Sequence, residues 1–144
     1  EIKYIKMLVK YHKRVFSLYS DQNLTDSKIY DFFEKVENFA PDILFLSALD
    51  YGSIKRIKED YHKAIDFWEF INKLLSKYET MIKAIKRPLL TGEEIMEVLD
   101  LNEGPLVGKY MSKLKKYQAL GKIDKKSNAI SYLKKMEINK DNNN

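Results

Sequence analysis

The chain has 144 residues, of which 44% are hydrophobic, so it can bury a core as one domain or as two small helical lobes. It contains no cysteine, which excludes disulfides, thiolate metal sites and thiol catalysis. No apolar run approaches the roughly 20 residues that span a bilayer, and there is no signal peptide, so we expect a cytoplasmic protein without a membrane partner. Because the first residue is Glu1 rather than Met, we expect a fragment of a longer protein.

The net charge of +5 is unevenly distributed along the sequence. Residues 109–135 contain nine lysines and one acid, whereas residues 15–108 carry a net charge of −6. A basic segment joined to an acidic one favours a polyanionic partner. The alternative is that these lysines form an ordinary solvated surface.

The spacing of apolar residues predicts an all-α fold, a compact array of about seven helices joined by short turns. In the first predicted helix, apolar residues recur at helical spacing from Ile2 onward, and residues 21–23 break the pattern. Thr25 is the expected N-cap of the second helix. The third helix begins near Ala40 and is expected to end at residues 51–53, which include a glycine.

A long fourth helix and a short fifth helix follow. The fourth has an apolar side that includes Ile65 and Trp68, and Pro88 is expected to terminate it. The fifth begins with a predicted capping box, in which Thr91 caps the helix and Glu94 follows three residues later.

Two further helices complete the predicted fold. Pro105, after Gly104, is well placed at the first position of the sixth helix. Gly121 is expected to end that helix in a left-handed conformation, and Ser127 is the expected cap of the seventh. From about residue 136 the sequence predicts a frayed tail, because the final residues are polar and have nothing to bury.

Residue types that carry catalysis are sparse and scattered in this sequence. His12 and His62 fall on different predicted helices, with neither a His-Asp pair nor a His-Glu-x-x-His motif. Gly104 and Gly108 match no phosphate-binding loop. We therefore predict no catalytic residue, no metal site and no cofactor site within this chain.

The sixth helix offers a more specific feature, a row of lysines along one flank. Lys109, Lys113 and Lys116 stand at positions i, i+4 and i+7. Gly104 and Gly108 leave the start of the helix bare, and a helix N-terminus presents N–H groups that suit phosphate oxygens. The alternatives are close helix packing at Gly108 and a solvated lysine face.

The basic region continues beyond the sixth helix. Because these further lysines extend the same surface, we favour phosphate contact over a solvated face. The residues predicted to bind RNA are Gly104, Gly108, Lys109, Lys113, Lys116, Lys122, Lys125 and Lys126.

Four segments in the last part of the sequence form a recognisable pattern. They are Arg-Pro-Leu-Leu-Thr-Gly-Glu-Glu-Ile (87–95), Gly-Pro-Leu-Val-Gly (104–108), Gln-Ala-Leu-Gly-Lys-Ile (118–123) and Ala-Ile-Ser-Tyr-Leu (129–133). This pattern resembles the C-terminal region of the class II tRNA nucleotidyltransferase (CCA-adding enzyme) and poly(A) polymerase family.

Upstream segments extend this resemblance to about residues 8 to 135. Residues 9–12, 29–33 and 44–50 are similar to the end of the HD-type domain of longer members, although Asp31 stands where an arginine is common. The resemblance implies two regions. Residues 1–86 would be a helical body, formed by the end of an HD-type domain and the helices after it. Residues 87–144 would be a tRNA-binding tail.

The resemblance implies a parent enzyme that adds nucleotides to the 3′ end of tRNA with ATP, CTP and Mg²⁺. The family's Gly-Ser turn with spaced aspartates, and its Asp-x-x-Arg element, are absent from this sequence. We therefore expect an inactive C-terminal fragment that positions tRNA through phosphate contacts, partnered by the N-terminal catalytic head of the same polypeptide. The alternatives are the C-terminal part of an HD-type metal-dependent phosphohydrolase and a helical protein-interaction module.

Overall fold

The computed structural model describes residues 1–57 and 60–141, with side chains at residues 1–54 and 60–137. These residues form seven α-helices and one 3₁₀ turn (Glu37–Phe39), with no strand among them, which confirms the predicted all-α fold. The helices are α1 (Ile2–Tyr19), α2 (Asp26–Val36), α3 (Ala40–Ile57), α4 (Tyr61–Lys86), α5 (Gly92–Leu99), α6 (Pro105–Ala119) and α7 (Lys126–Asp141).

The chain divides into two compact units, and the division falls within α4. Unit 1 is Glu1–Ile82 and unit 2 is Lys83–Asn144. Each unit has its own buried core. The functional roles expected for residues 1–86 and 87–144 stay predictions.

Aromatic rings fill the core of unit 1. Phe67 of α4 is fully buried and stacks on Tyr51 of α3, with the ring centroids 4.3 Å apart. The edge of Tyr19 from α1 approaches the same ring at 5.0 Å, and Phe33 of α2 meets Tyr78 of α4 at 5.3 Å. Such pairs contribute roughly 0.5–1.5 kcal/mol beyond the area they bury, and these two groups join all four helices of unit 1.

The apolar pattern of α1 predicted the helix correctly, but the apolar residues in the first half of the helix do not face the core. Ile2, Ile5 and Val9 are exposed, at 72%, 58% and 63% of their surface. The buried positions of α1 are Val15 and Leu18 in its second half. The N-terminal half of α1 therefore presents apolar side chains to solvent within unit 1.

The predicted apolar side of α4 and the predicted end of α3 are also corrected. Ile71 and Ile85 of the predicted side are buried, but Ile65 and Trp68 of that side are exposed. Phe67 and Leu74 are buried instead, so the prediction holds only in part. The third helix continues past residues 51–53 to Ile57. One glycine inside a helix costs only about 1 kcal/mol relative to alanine, which the helix tolerates.

Unit 2 has a core formed by α5, α6 and α7. Its members are buried apolar side chains from all three helices and from the segments that precede α5 and α7. They are Leu90, Ile95, Leu99, Val107, Tyr110, Leu114, Ile123, Ala129 and Leu133.

Local backbone chemistry sets several helix ends where the sequence predicted them. In unit 1 the backbone N–H of Lys28 donates to Thr25 Oγ1, which confirms that N-cap. The capping box of α5 in unit 2 is complete. Pro105 opens α6, and Gly121 after α6 has a φ of +68°, in the left-handed region.

The seventh helix differs from its prediction at both ends. It begins at Lys126, and the N–H of Ala129 donates to the carbonyl of Lys125, so Ser127 lies inside the helix rather than capping it. The helical backbone continues to Asp141, beyond the residue at which fraying was expected to begin. Residues 142–144, which belong to the expected frayed end, lie outside the described residues.

Candidate nucleic-acid interface

The lysine flank of α6 lies opposite its buried face. Val107 and Leu114 point into the core of unit 2, whereas Lys109 and Lys113 are exposed. These two lysines line a small cleft of about 150 Å³, together with Leu106, Tyr110 and Met136. The structure therefore brings two of the predicted lysines together. Lys116 follows one turn later and is half-buried.

The start of α6 is open, as an approach by a ligand would require. A methyl group placed on Gly104 or Gly108 would meet no atom of the described residues within 4 Å. Close packing within the described part of the chain therefore gives no reason for glycine here. The adjoining cleft is lined by Glu93 and Glu103 as well as by both glycines. Because these carboxylates repel anions, a phosphate is better accommodated on the lysine flank than at the start of the helix.

Lys126 has a structural contact that the sequence did not reveal. Its ammonium group forms a hydrogen-bonded ion pair with the carboxylate of Glu94. The same carboxylate accepts the N–H of Thr91 in the capping box. The hydrogen bond from Lys126, followed by that from Thr91, holds the pKa of Glu94 below its ordinary value. Lys126 thus joins the start of α7 to the start of α5, and part of its charge is already neutralised.

Lys122 lies beside a pair of tyrosines. Its Nζ atom is 4.9 Å from the ring centroid of Tyr117, and that ring lies 4.5 Å from the ring of Tyr132. Burial, followed by a hydrogen bond with Tyr117, raises the pKa of Tyr132. Sequence reasoning missed this aromatic pair. The signal in the sequence was the presence of tyrosines in both of the last two helices. Lys125, which follows Lys122 in the same turn of the chain, is exposed.

Gln118 fixes the segment that precedes α5. Its Nε2 donates to the carbonyl of Arg87 over 3.0 Å, and its Oε1 accepts the N–H of Leu89 over 2.9 Å. Both partners flank Pro88, which has no N–H to donate. One side chain of α6 therefore holds the Arg-Pro-Leu turn in place.

Metal-ligating side chains are scattered in the described part of the chain. Nowhere among the described residues do three His, Asp or Glu side chains converge closely enough to hold a metal ion. His12 Nδ1 lies 3.0 Å from the carbonyl of Leu8 on its own helix, and His62 is exposed on α4. Within the described part of the chain, none of the helices is both long and apolar enough to cross a membrane.

Comparison with curated proteins finds a relative that covers most of this chain. The chain is 34% identical over 104 residues to a CC-adding tRNA nucleotidyltransferase of Thermus thermophilus. This chain is related to the CCA-adding tRNA nucleotidyltransferase family. This similarity confirms the predicted resemblance to CCA-adding tRNA nucleotidyltransferases, whereas the resemblance to poly(A) polymerases and to the end of an HD-type domain stays a prediction.

The similarity concerns one region of a longer relative. The aligned residues are 71% of this chain but only 22% of the Thermus protein. No family model and no solved structure matches the chain.

Proposed function

We propose that this chain is the tRNA-binding part of a tRNA nucleotidyltransferase-like protein, and that unit 2 holds tRNA while a nucleotide is added at its 3′ end. The observation that carries the proposal is the exposed lysine flank of α6 in a chain related to a CC-adding tRNA nucleotidyltransferase. That relationship also favours a transferase over the HD-type phosphohydrolase and the protein-interaction module.

The contacts in this proposal go to phosphates rather than to bases. Lys109 and Lys113 supply point charges on flexible stems, which suit phosphate oxygens but read no sequence. Double-helical RNA is recognised mainly by its shape and its backbone. An enzyme that acts on the common end of many tRNAs needs this kind of contact.

The cleft between Lys109 and Lys113 gives the contact a defined place. The apolar side chains of Leu106 and Met136 line it beside the two ammonium groups. Apolar walls lower the local dielectric and strengthen attraction to an anion. The acidic residues Glu93 and Glu103 line a different cleft, so they direct the RNA backbone toward the lysines.

Catalysis in this proposal belongs to other parts of the longer protein. Mg²⁺, ATP and CTP would be held by an N-terminal catalytic head of the same polypeptide. This chain would contribute by fixing the position of the tRNA, since correct orientation removes an entropic cost from the reaction.

Salt-dependent binding tests the proposal. We expect the full chain to bind total tRNA in a filter assay, with affinity that falls steeply between about 50 and about 200 mM salt because phosphate contacts release counterions. Absent binding, or binding that does not respond to salt, would contradict the proposal.

A further inference from the structure

A second basic cleft lies in unit 1, between α1 and α2, and the proposed function makes no use of it. Its volume is about 660 Å³, several times that of the cleft on α6. The charged side chains that line it come from both helices and from the turn between them. They are Lys10, Arg14, Asp21, Lys28, Asp31 and Lys35.

One acid of this cleft is already neutralised within the structure. Lys28 Nζ donates to Asp21 Oδ2 over 2.7 Å, and the N–H of Asn23 donates to Asp21 Oδ1 over 2.9 Å. The hydrogen bond from Lys28 is the main reason that the pKa of Asp21 lies below its ordinary value. Lys28 also donates to the carbonyl of Asn23 over 3.1 Å. This pair therefore stabilises the turn between the helices and leaves little net charge.

The remaining cations outnumber the remaining acid. Lys10 and Arg14 stand one turn apart on α1, and Lys35 lies across from them on α2. All three are exposed, and Asp31 is the other carboxylate of the cleft. The cleft therefore presents an excess of positive charge to solvent.

The surroundings of these cations favour strong attraction to an anion. Lys10 Nζ lies 5.1 Å from the ring centroid of Tyr11, which also lines the cleft, and such a ring face attracts a cation. Leu18 and Phe32 are buried and form apolar walls. A concave site with cationic side chains and low-dielectric walls concentrates the electric field.

We propose that this cleft binds backbone phosphate of RNA, so that the chain holds RNA at a second site apart from the lysine flank of α6. The inference rests on the proposed function, since the ligand is the same tRNA. Arg14 presents a planar guanidinium that can donate two parallel hydrogen bonds to one phosphate. Lys10 and Lys35 provide point charges on the two sides. The volume of the cleft accommodates more than a single phosphate group.

Charge reversal within the cleft tests this inference. We compare two double variants of the full chain. The cleft variant carries Lys10→Glu together with Lys35→Glu. The α4 variant carries Lys73→Glu together with Lys83→Glu, at two exposed positions that do not line the cleft. Both variants undergo the same change in net charge. Binding of a fluorescein-labelled tRNA transcript is measured by anisotropy at about 50 and about 200 mM salt.

The cleft variant should bind on the order of tenfold more weakly than the α4 variant at the lower salt. When the logarithm of the binding constant is plotted against the logarithm of the salt concentration, the slope for this variant should be smaller in magnitude by about 0.7 to 0.9 for each lost phosphate contact. Arg14→Gln, which changes less charge, should weaken binding in the same direction. Equal binding by the cleft variant and the α4 variant would overturn the inference.

A third variant separates this inference from the proposed function. If Lys109→Glu with Lys113→Glu weakens binding while the cleft variant matches the α4 variant, only the cleft site is wrong. If the cleft variant weakens binding and the α6 variant does not, the cleft stands and the assignment to α6 fails. Competition by polyglutamate tests whether the cleft binds an acidic protein rather than RNA. Displacement of tRNA by polyglutamate as effectively as by unlabelled tRNA would also overturn the inference.

Discussion

Lys126 and Glu94 form an ion pair across 32 residues of sequence, and this pair connects two helix starts of unit 2. Glu94 is the residue that closes the capping box of α5, and Lys126 is the first residue of α7. A helix N-terminus attracts negative charge through its exposed N–H groups, so the carboxylate stabilises α5 while it holds the lysine. A lysine of the basic region is therefore held by the carboxylate that completes the capping box of α5.

Removal of the cap hydroxyl should destabilise unit 2. Thr91→Ala deletes the oxygen that accepts the N–H of Glu94, and loss of such a cap typically costs about 1 kcal/mol. For a unit of this size we expect the Tm to fall by about 4–8 °C, measured by circular dichroism. Thr80→Ala, at an exposed position inside α4, is the control. An equal fall in both variants would contradict the role of Thr91.

Stability should decrease in acid partly through Glu94. Its pKa is lower in the folded protein than its ordinary value of 4.5, so folding favours the ionised form. The stabilisation is complete above that ordinary value and is lost as the pH falls through the lower, folded value. We expect Glu94→Gln to lose less Tm than the parent chain between neutral pH and acid. Glu97→Gln on the same helix is the control, and equal acid sensitivity of the Glu94 variant and the parent would contradict this explanation.

Two glycines should respond to alanine in opposite directions. Gly121 has a φ of +68°, so Gly121→Ala forces a side chain into the left-handed region at a cost of about 1–2 kcal/mol. Gly52 lies inside α3, and a methyl group added there would meet open space, so Gly52→Ala should stabilise by roughly 0.5–1 kcal/mol. Urea unfolding measures both. Destabilisation by Gly52→Ala, or no effect of Gly121→Ala, would show that the backbone argument is wrong.

Several helix ends could be predicted because each of these depends on a few neighbouring residues. Thr25, Thr91 and Gly121 act within one turn of the chain, so their residue types are enough to indicate their roles. The buried faces were harder to predict. Ile2 and Val9 follow helical spacing as well as any core residue, yet most of the surface of each is exposed in the described part of unit 1. An apolar pattern defines a face of a helix, but only the neighbouring helices decide whether that face is buried.

The candidate site could be predicted in part for the same reason. Lys109 and Lys113 share a flank because they lie one helical turn apart, and this spacing can be seen in the sequence itself. The pairing of Lys126 with Glu94 and the cleft between α1 and α2 depend on residues that meet only after folding. The sequence shows that basic residues occur near the start of α7 and along α1 and α2. It could not show which of these residues contact an acid of the same chain.

The chain should not add nucleotides by itself. When it is incubated with CTP, ATP, Mg²⁺ and tRNA that lacks its 3′ CCA, we expect no labelled nucleotide in the tRNA. The reason for this expectation is that the Gly-Ser turn with spaced aspartates, which the family resemblance implies for catalysis, is absent from this sequence. A CC-adding tRNA nucleotidyltransferase in the same assay is the positive control, and incorporation by the chain itself would refute this prediction.

The most direct measurement compares tRNA binding by two charge-reversed variants of the full chain. One carries Lys109→Glu with Lys113→Glu on α6, and the other carries Lys73→Glu with Lys83→Glu on α4, so both undergo the same change in net charge. If the flank of α6 holds the phosphate backbone, the α6 variant should lose on the order of tenfold in affinity at about 50 mM salt and show a shallower salt dependence. The α4 variant should keep nearly all of its affinity. Equal affinities for the two variants would contradict the assignment of tRNA binding to this surface.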